Sequence, residues 1–179
     1  MKYALQLEER VEATPKSTGV CPCCGSEMNS KCGNRKVWHW AHKSKRTCDH
    51  WWESETQWHR DWKNRFPEDW QEVVHFAKDG EKHIADVKTE DGLVVEFQHS
   101  FIKHEEVKSR ENFYKQIIWL VDGQRLSRDQ KCLKNLFETS EVSKINIVSE
   151  PEKFLPKNWL NSDVGTALAK RRIMRSTAS

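Results

Sequence analysis

The sequence has no apolar run near the ~20 residues needed to span a bilayer, which excludes an α-helical membrane anchor. Its first thirteen residues, MKYALQLEERVEA, hold glutamates and no long apolar stretch, so no secretory leader is expected. The expected compartment is the cytoplasm, where thiols stay reduced and the six cysteines are not expected to pair as disulfides. There is no internal repeat and no low-complexity stretch, which excludes a repeat array. Net charge is small, at +3. That permits nucleic-acid binding without arguing for it, because local patches matter more than totals. What remains is a chain of 179 residues, 36% hydrophobic and 32% charged, sized for one domain plus a small appendage. It is rich in one residue type: nine Trp, most of them between residues 38 and 70, which predicts a compact aromatic core there.

Along the chain, residues 1–20 read as a short strand and a polar linker. Residues 54–65 read as an amphipathic helix with Trp58, Trp62 and Phe66 on one face, ended by Pro67. Three strands follow, at 70–77, 83–89 and 93–100. The Asp79-Gly80 and Asp91-Gly92 pairs between them are hairpin signals, so the three form a meander. A polar helix is expected over 103–116, a buried strand at 117–122, a helix at 127–138 and a strand at 144–150. The basic tail ALAKRRIMRSTAS reads as a fraying terminal helix.

Residues 21–50 hold five of the six Cys and three of the eight His. Cys21-Pro22-Cys23-Cys24-Gly25 contains a C-P-x-C-G knuckle, in which two thiolates grip one tetrahedral ion and Gly25 lets backbone amides turn toward sulfur. The preferred ligand set is Cys21, Cys24, His42 and Cys48, holding a structural Zn²⁺. His39 is the alternative histidine and Cys32 the alternative thiolate. Lys36, Lys43, Lys45 and Arg46 lie beside these ligands, either as a solvated face or as a grip on nucleic acid.

Asp86 and Glu96 each interrupt an apolar strand. Alternation puts Asp86 opposite Ala85 and Val87, and Glu96 on one face with Gln98. Around the Asp91-Gly92 turn the two acids become near cross-strand neighbours. Such a pair repels unless a cation lies between them, and Mg²⁺ (or Mn²⁺) suits two carboxylates plus water and phosphate. The same parity removes His83 and His99 from that face. The bland alternative is a solvated polar sheet face.

The pattern D-x9-E-x-Q resembles the PD-(D/E)XK nuclease superfamily in the variant where Gln replaces Lys. The ordered set of the CPxCG knuckle, HWAHK at 39–43, Glu55-x3-His59, HIADVKT, VVEFQHS, and Arg110-x3-Tyr114 before IIWLVDG resembles the competence protein CoiA-like family. The resemblance implies an α/β (α+β) fold. Its restriction-endonuclease-like α-β-β-β-α-β core surrounds a mixed sheet, with a small N-terminal zinc-binding module. The corresponding division is a module at 1–50, a nuclease-like core at 51–150 and a C-terminal extension at 151–179.

It also implies Mg²⁺-dependent hydrolysis of phosphodiester bonds in DNA, connected with recombination, DNA uptake or defence against foreign DNA. Asp86 and Glu96 would bind the metal and Gln98 would stand where most members have Lys. Glu55 would be a ligand of that metal or a partner of its ligands. His59, four residues on and so on the same helical face, would take part in proton transfer. The alternative for that pair is a surface Glu-His contact. Arg110 and Tyr114 share a helical face and would grip phosphate, with packing of Tyr114 against the sheet the alternative. Two readings stay beside the enzyme: an inactive module that holds DNA, and an interaction subunit of an ATPase or helicase. A homodimer is a further partner reading.

Overall fold

The computed structural model describes residues 1–44, 48–51, 53–123, 159 and 166–169, which fall into two units, Met1–Glu96 and Phe97–Ser179. The first unit opens with an antiparallel sheet of β1 (Tyr3–Gln6), β2 (Glu9–Glu12), β3 (Thr18–Val20), β4 (Glu27–Lys31) and β5 (His39–His42), in the order β2-β1-β3-β4-β5. Residues 1–20 thus hold three strands, not the one strand and linker expected. The reason lies in the first turn. Leu7 and Glu8 both adopt positive φ, 50° and 69°, the conformation that Asn-Gly ordinarily signals, so the hairpin has no sequence signature.

Met1, Ala4, Ala13, Cys21, Cys23, Met28 and Trp40 form the core here, and Val74 and Ile84 pack against it. Trp40 is 1% exposed and donates its indole N–H to the Val11 carbonyl at 2.9 Å. Gly19 is required beside it: a Cβ there would lie 3.0 Å from the Ala4 Cβ and 3.1 Å from the Leu5 carbonyl.

The described tryptophans of residues 38–70 take different surroundings. Trp40 is central to this sheet, Trp51 stacks on His83, and Trp58 meets Trp62 edge-on, while Trp38 is 49% exposed.

Helix α1 spans Gln57–Lys63, shorter than the 54–65 expected. Thr56 is its N-cap, its hydroxyl accepting the His59 amide, and capping at that position leaves Glu55 outside the helix. Phe66 also lies beyond it. Arg60 ties α1 to the sheet, donating to the Glu12 carboxylate at 3.0 Å and to the Trp38 carbonyl at 2.9 Å. A 3₁₀ turn (Glu68–Trp70) leads into β6 (Gln71–Phe76), which pairs antiparallel with β7 (Lys82–Lys88). β7 then turns at Asp91-Gly92, where Gly92 takes φ 85°, and pairs with β8 (Val94–Gln98). The meander read from the two Asp-Gly turns is present.

Glu72 is the irregular residue of β6. It adopts φ 48° and is buried. A non-glycine residue held there costs about 1–3 kcal/mol unless its surroundings enforce it. Here its carboxylate accepts the Lys2 amide at 2.7 and 2.8 Å, the Tyr3 amide at 3.0 Å and the Lys63 ammonium at 3.0 Å. Burial alone would raise its pKa. Lys63, the N-terminal ammonium and the two amides outweigh that and hold it well below the usual carboxylate range.

β8 carries the chain into the second unit, whose strands run in the order β10-β9-β8. Helix α2 (His104–Tyr114) buries Val107, Arg110, Glu111 and Tyr114, the three-and-four spacing of one face. β9 (Ile117–Asp122) alternates: Ile117, Trp119 and Val121 are buried and Ile118 is exposed. β10 (Thr166–Ala169) lies parallel to β9, with Thr166 opposite Trp119. Ala167–Ala169 are therefore strand, where the tail was expected to be helical: the pairing with β9 overrides a helix-compatible local sequence. The expected helix at 127–138 and strand at 144–150 lie outside the described residues. From α1 to β9 the order is α-β-β-β-α-β, and the fold is α+β with antiparallel and parallel pairings.

Glu72→Ala removes an acceptor from two buried amides and one buried ammonium, and should cost about 3–5 kcal/mol in urea unfolding at neutral pH. Because the folded pKa of Glu72 is depressed, its contribution is present above the unfolded carboxylate pKa of about 4.3 and is lost as pH falls below it toward the folded value. Wild-type stability should therefore fall more steeply than that of the variant on acidification. A loss under 1 kcal/mol at neutral pH would contradict this account.

Candidate active site

The β7–β8 hairpin builds the first cluster. Its ladder pairs Val87 with Val95 and Lys88 with Val94. At the next position the Glu96 side chain enters, its Oε1 accepting the Asp86 amide at 3.2 Å. Along β7, His83, Ala85 and Val87 are buried while Ile84 and Asp86 are half-buried, the alternation that parity requires. The two acids are thus adjacent, with Asp86 21% exposed at its side chain and Glu96 buried.

Lys63, the last residue of α1, meets this pair from the other side. Its Nζ lies 2.9 Å from Asp86 Oδ1, 3.0 Å from Glu72 Oε1 and 3.2 Å from Glu55 Oε2. Glu55 also accepts from Arg60 Nε at 3.3 Å. Glu55 does not share a helical face with His59, because it precedes the N-cap; it joins the cluster through Lys63. His59 is buried, with Nδ1 2.8 Å from the Thr56 hydroxyl and Nε2 3.9 Å from Glu53. Burial pushes its pKa down and Lys63 adds to this against Asp86, so the imidazole is neutral at neutral pH. Lys63 and Glu72 had no sequence signal: one is a charge on an amphipathic helix, the other lies in an apolar strand. A two-turn helix ending in lysine, followed nine residues later by an acid entering a strand, is too common a pattern to single out.

Gln98, on β8 and buried, donates its side-chain amide to the Ser100 carbonyl at 2.9 Å and approaches the Ser100 hydroxyl at 3.3 Å. His99 contacts Asp122 at 2.8 Å. Within the second unit Arg110 pairs with Glu106 and lies over Trp119, and Tyr114 packs edge-on against Phe113. Both are about 5% exposed or less, which places them in the packing of that unit. His83 sits on the face of β7 opposite Asp86. It is held by Asp49 at 2.8 Å and Glu81 at 3.0 Å, and Trp51 stacks on it at 3.4 Å.

The second cluster is cysteine-based. The metal-ligating atoms of Cys21, Cys24, His42 and Cys48 all lie within 4.8 Å of one another. Cys21 and Cys48 sulfurs are 3.6 Å apart, and Cys24 Sγ is 3.4 Å from His42 Nε2. The knuckle closes through the Gly25 amide on the Cys21 carbonyl and the Cys21 amide on the Ser26 carbonyl, both 2.9 Å, with Gly25 at φ 72°. His39, the alternative histidine, points its Nδ1 at the Val37 carbonyl, and Cys32 is not in the group.

Burial pushes the Cys21 and Cys48 thiols up, with Cys21 adding to the shift at Cys48. Cys24 goes the other way: burial is outweighed by Ser26, His42 and Cys21, and its thiol falls to about 6. Thiol groups crowded to this degree ionise together only around a cation. Thiolates each about 2.3 Å from one tetrahedral ion lie near the sulfur spacing seen here. The cluster can hold a metal ion.

Two family models match the chain. One describes the N-terminal domain of competence protein CoiA and covers residues 5–50. The other describes its nuclease-like domain and covers residues 82–157. The chain belongs to the CoiA family. The N-terminal match runs from within β1 through β5 and takes in the whole cysteine cluster, and the nuclease-like match starts at β7 and takes in Asp86, Glu96 and Gln98. Glu55, His59, Lys63 and Glu72 fall between the two matched spans. No curated protein matches the chain, and no solved structure does. No helix among the described residues is long and apolar enough to cross a membrane.

The cysteine cluster of this CoiA-family chain should retain one metal ion through purification. Elemental analysis should find about one ion per chain, and Cys24→Ser or Cys48→Ser should lose it. Full retention in both variants would remove the cluster as the site.

Proposed function

We propose that this chain is a divalent-metal-dependent nuclease of PD-(D/E)XK type that hydrolyses DNA, with Zn²⁺ as the ion of the cysteine cluster. The observation that carries this reading is the contact of the Glu96 carboxylate with the Asp86 amide, which sets two acids side by side inside the nuclease-like match. That donor set fits Mg²⁺ or Mn²⁺, which take one or two carboxylates together with water and phosphate oxygens. When bound, the ion supplies Lewis-acid charge against the phosphate and lowers the cost of deprotonating water. Asp86 and Glu96 hold it. Water adds to phosphorus, one P–O ester bond breaks, and the leaving alkoxide takes up a proton.

His59, buried and neutral, would be the proton acceptor of this reading. Gln98 orients by hydrogen bonds alone and brings no charge. The zinc assignment rests on a donor set of three sulfurs and one nitrogen, the composition of closed structural sites.

A second reading has its own support. Gln98 spends its amide on Ser100, which suits a nuclease fold that holds DNA without cutting it.

Incubating plasmid and linear single-stranded DNA with Mg²⁺ or Mn²⁺ decides between them. Wild type should cut, and Asp86→Ala and Glu96→Ala should each lose about a hundredfold or more in rate. Salt-sensitive binding with no cutting in any metal would favour the second reading. Equal cutting by wild type and both variants would place the activity elsewhere.

A further inference from the structure

Three carboxylates take the Lys63 ammonium from three directions, at 2.9, 3.0 and 3.2 Å. An ammonium has three N–H donors, so all are spent. The Lys63 side chain is 4% exposed, against 21% for Asp86. It is buried with all three protons turned to protein acids, so none is offered to a phosphate. Its acids are fixed in turn. Glu72 is locked by the Lys2 and Tyr3 amides, and Glu55 by Arg60.

We propose that Lys63 is a positioning residue that fills the inner half of an acidic cage, Glu55, Glu72 and Asp86, and so confines a divalent cation to the outer corner between Asp86 and Glu96. The inference rests on the reading of Asp86 and Glu96 as the cation-binding pair. Its physical basis is charge. Without the ammonium, the inner cage offers three carboxylates and the outer corner two, with Asp86 common to both. Divalent cations follow the count of carboxylates and are repelled strongly by a positive charge a few ångströms away in a buried setting. A cation drawn inward would be enclosed, and a substrate phosphate would not reach it. Lys63 thus decides where the metal sits, a role different from that of a lysine touching the reacting phosphate.

The test uses the full chain with its cysteine cluster loaded, and Mn²⁺ alone as the probe, followed by calorimetry. In the wild type, Glu96→Ala should weaken Mn²⁺ binding at least tenfold. Lys63→Met, which keeps the bulk and loses the charge, should bind Mn²⁺ at least tenfold more tightly than wild type. It should also cut DNA at least tenfold more slowly. A purely structural lysine would not move these two in opposite directions. The Lys63→Met, Glu96→Ala double variant should keep the tight binding, because the inner cage replaces the lost corner.

Lys63→Met binding no tighter than wild type, or losing Mn²⁺ once Glu96 is removed, would overturn the proposal. If Glu96→Ala alone binds Mn²⁺ as wild type does, the Asp86–Glu96 reading itself fails, and the proposal goes with it. Should Lys63→Met need Mn²⁺ to fold, that supports the proposal, since the cage then asks for a cation of any kind. Lys63→Met, Glu55→Gln, with one acid fewer, should fold more readily. Failure of both variants to fold at any Mn²⁺ concentration would show that the lysine itself is needed, and would overturn it.

Discussion

Within the first unit, one buried ammonium draws together the end of a helix, the segment before it and two paired strands. Lys63 arrives on the last turn of α1, Glu55 on the segment before the helix, Glu72 on β6 and Asp86 on β7. Removing charges from water is costly, and the cost is recovered only when each one is matched with good geometry. Here each of the ammonium's three protons has its own acid. The match also fixes the N-terminal strand, since the carboxylate that faces Lys63 accepts the Lys2 and Tyr3 amides as well. Loss of the lysine would take from all three acids the cation they share, leaving Glu55 with Arg60 and Glu72 with the Lys2 and Tyr3 amides. Loss of one acid leaves the others still paired.

The parts of this site that could be read from the sequence are those governed by short periods. Asp86 and Glu96 were found because strand side chains alternate and because Asp91-Gly92 sets the hairpin; both depend on a dozen consecutive residues. The cysteine cluster was legible for a related reason, as its knuckle has a fixed spacing and its remaining ligands are scarce residue types. His42 as against His39 is a matter of which face of β5 each occupies, and spacing alone leaves that open.

Lys63 and Glu72 follow no such rule. Glu72 bonds to an amide 70 positions away in the chain, and it turns toward it by leaving ordinary strand geometry. Lys63 is one of several charged residues on a short amphipathic helix, and no local pattern marks it. The α1 boundary failed for a local reason that was in plain view: Thr56 caps the helix and excludes Glu55. The Leu7-Glu8 turn and the β10 strand were illegible because tertiary pairing, not local preference, sets them.

The side-chain acceptors along β7 have a consequence for how the hairpin tolerates change. Two of its amides are answered by side chains rather than by a neighbouring backbone: Ile84 by Asp49 Oδ2 at 2.9 Å, and Asp86 by Glu96 Oε1 at 3.2 Å. These carboxylates stand in for strand partners, while the backbone ladder with β8 holds Val87 and Lys88. Glu96 is thus part of the sheet's own hydrogen bonding as well as one of the acids that suit a cation, so an apolar residue there would take an acceptor from a strand amide and loosen the hairpin that carries Asp86.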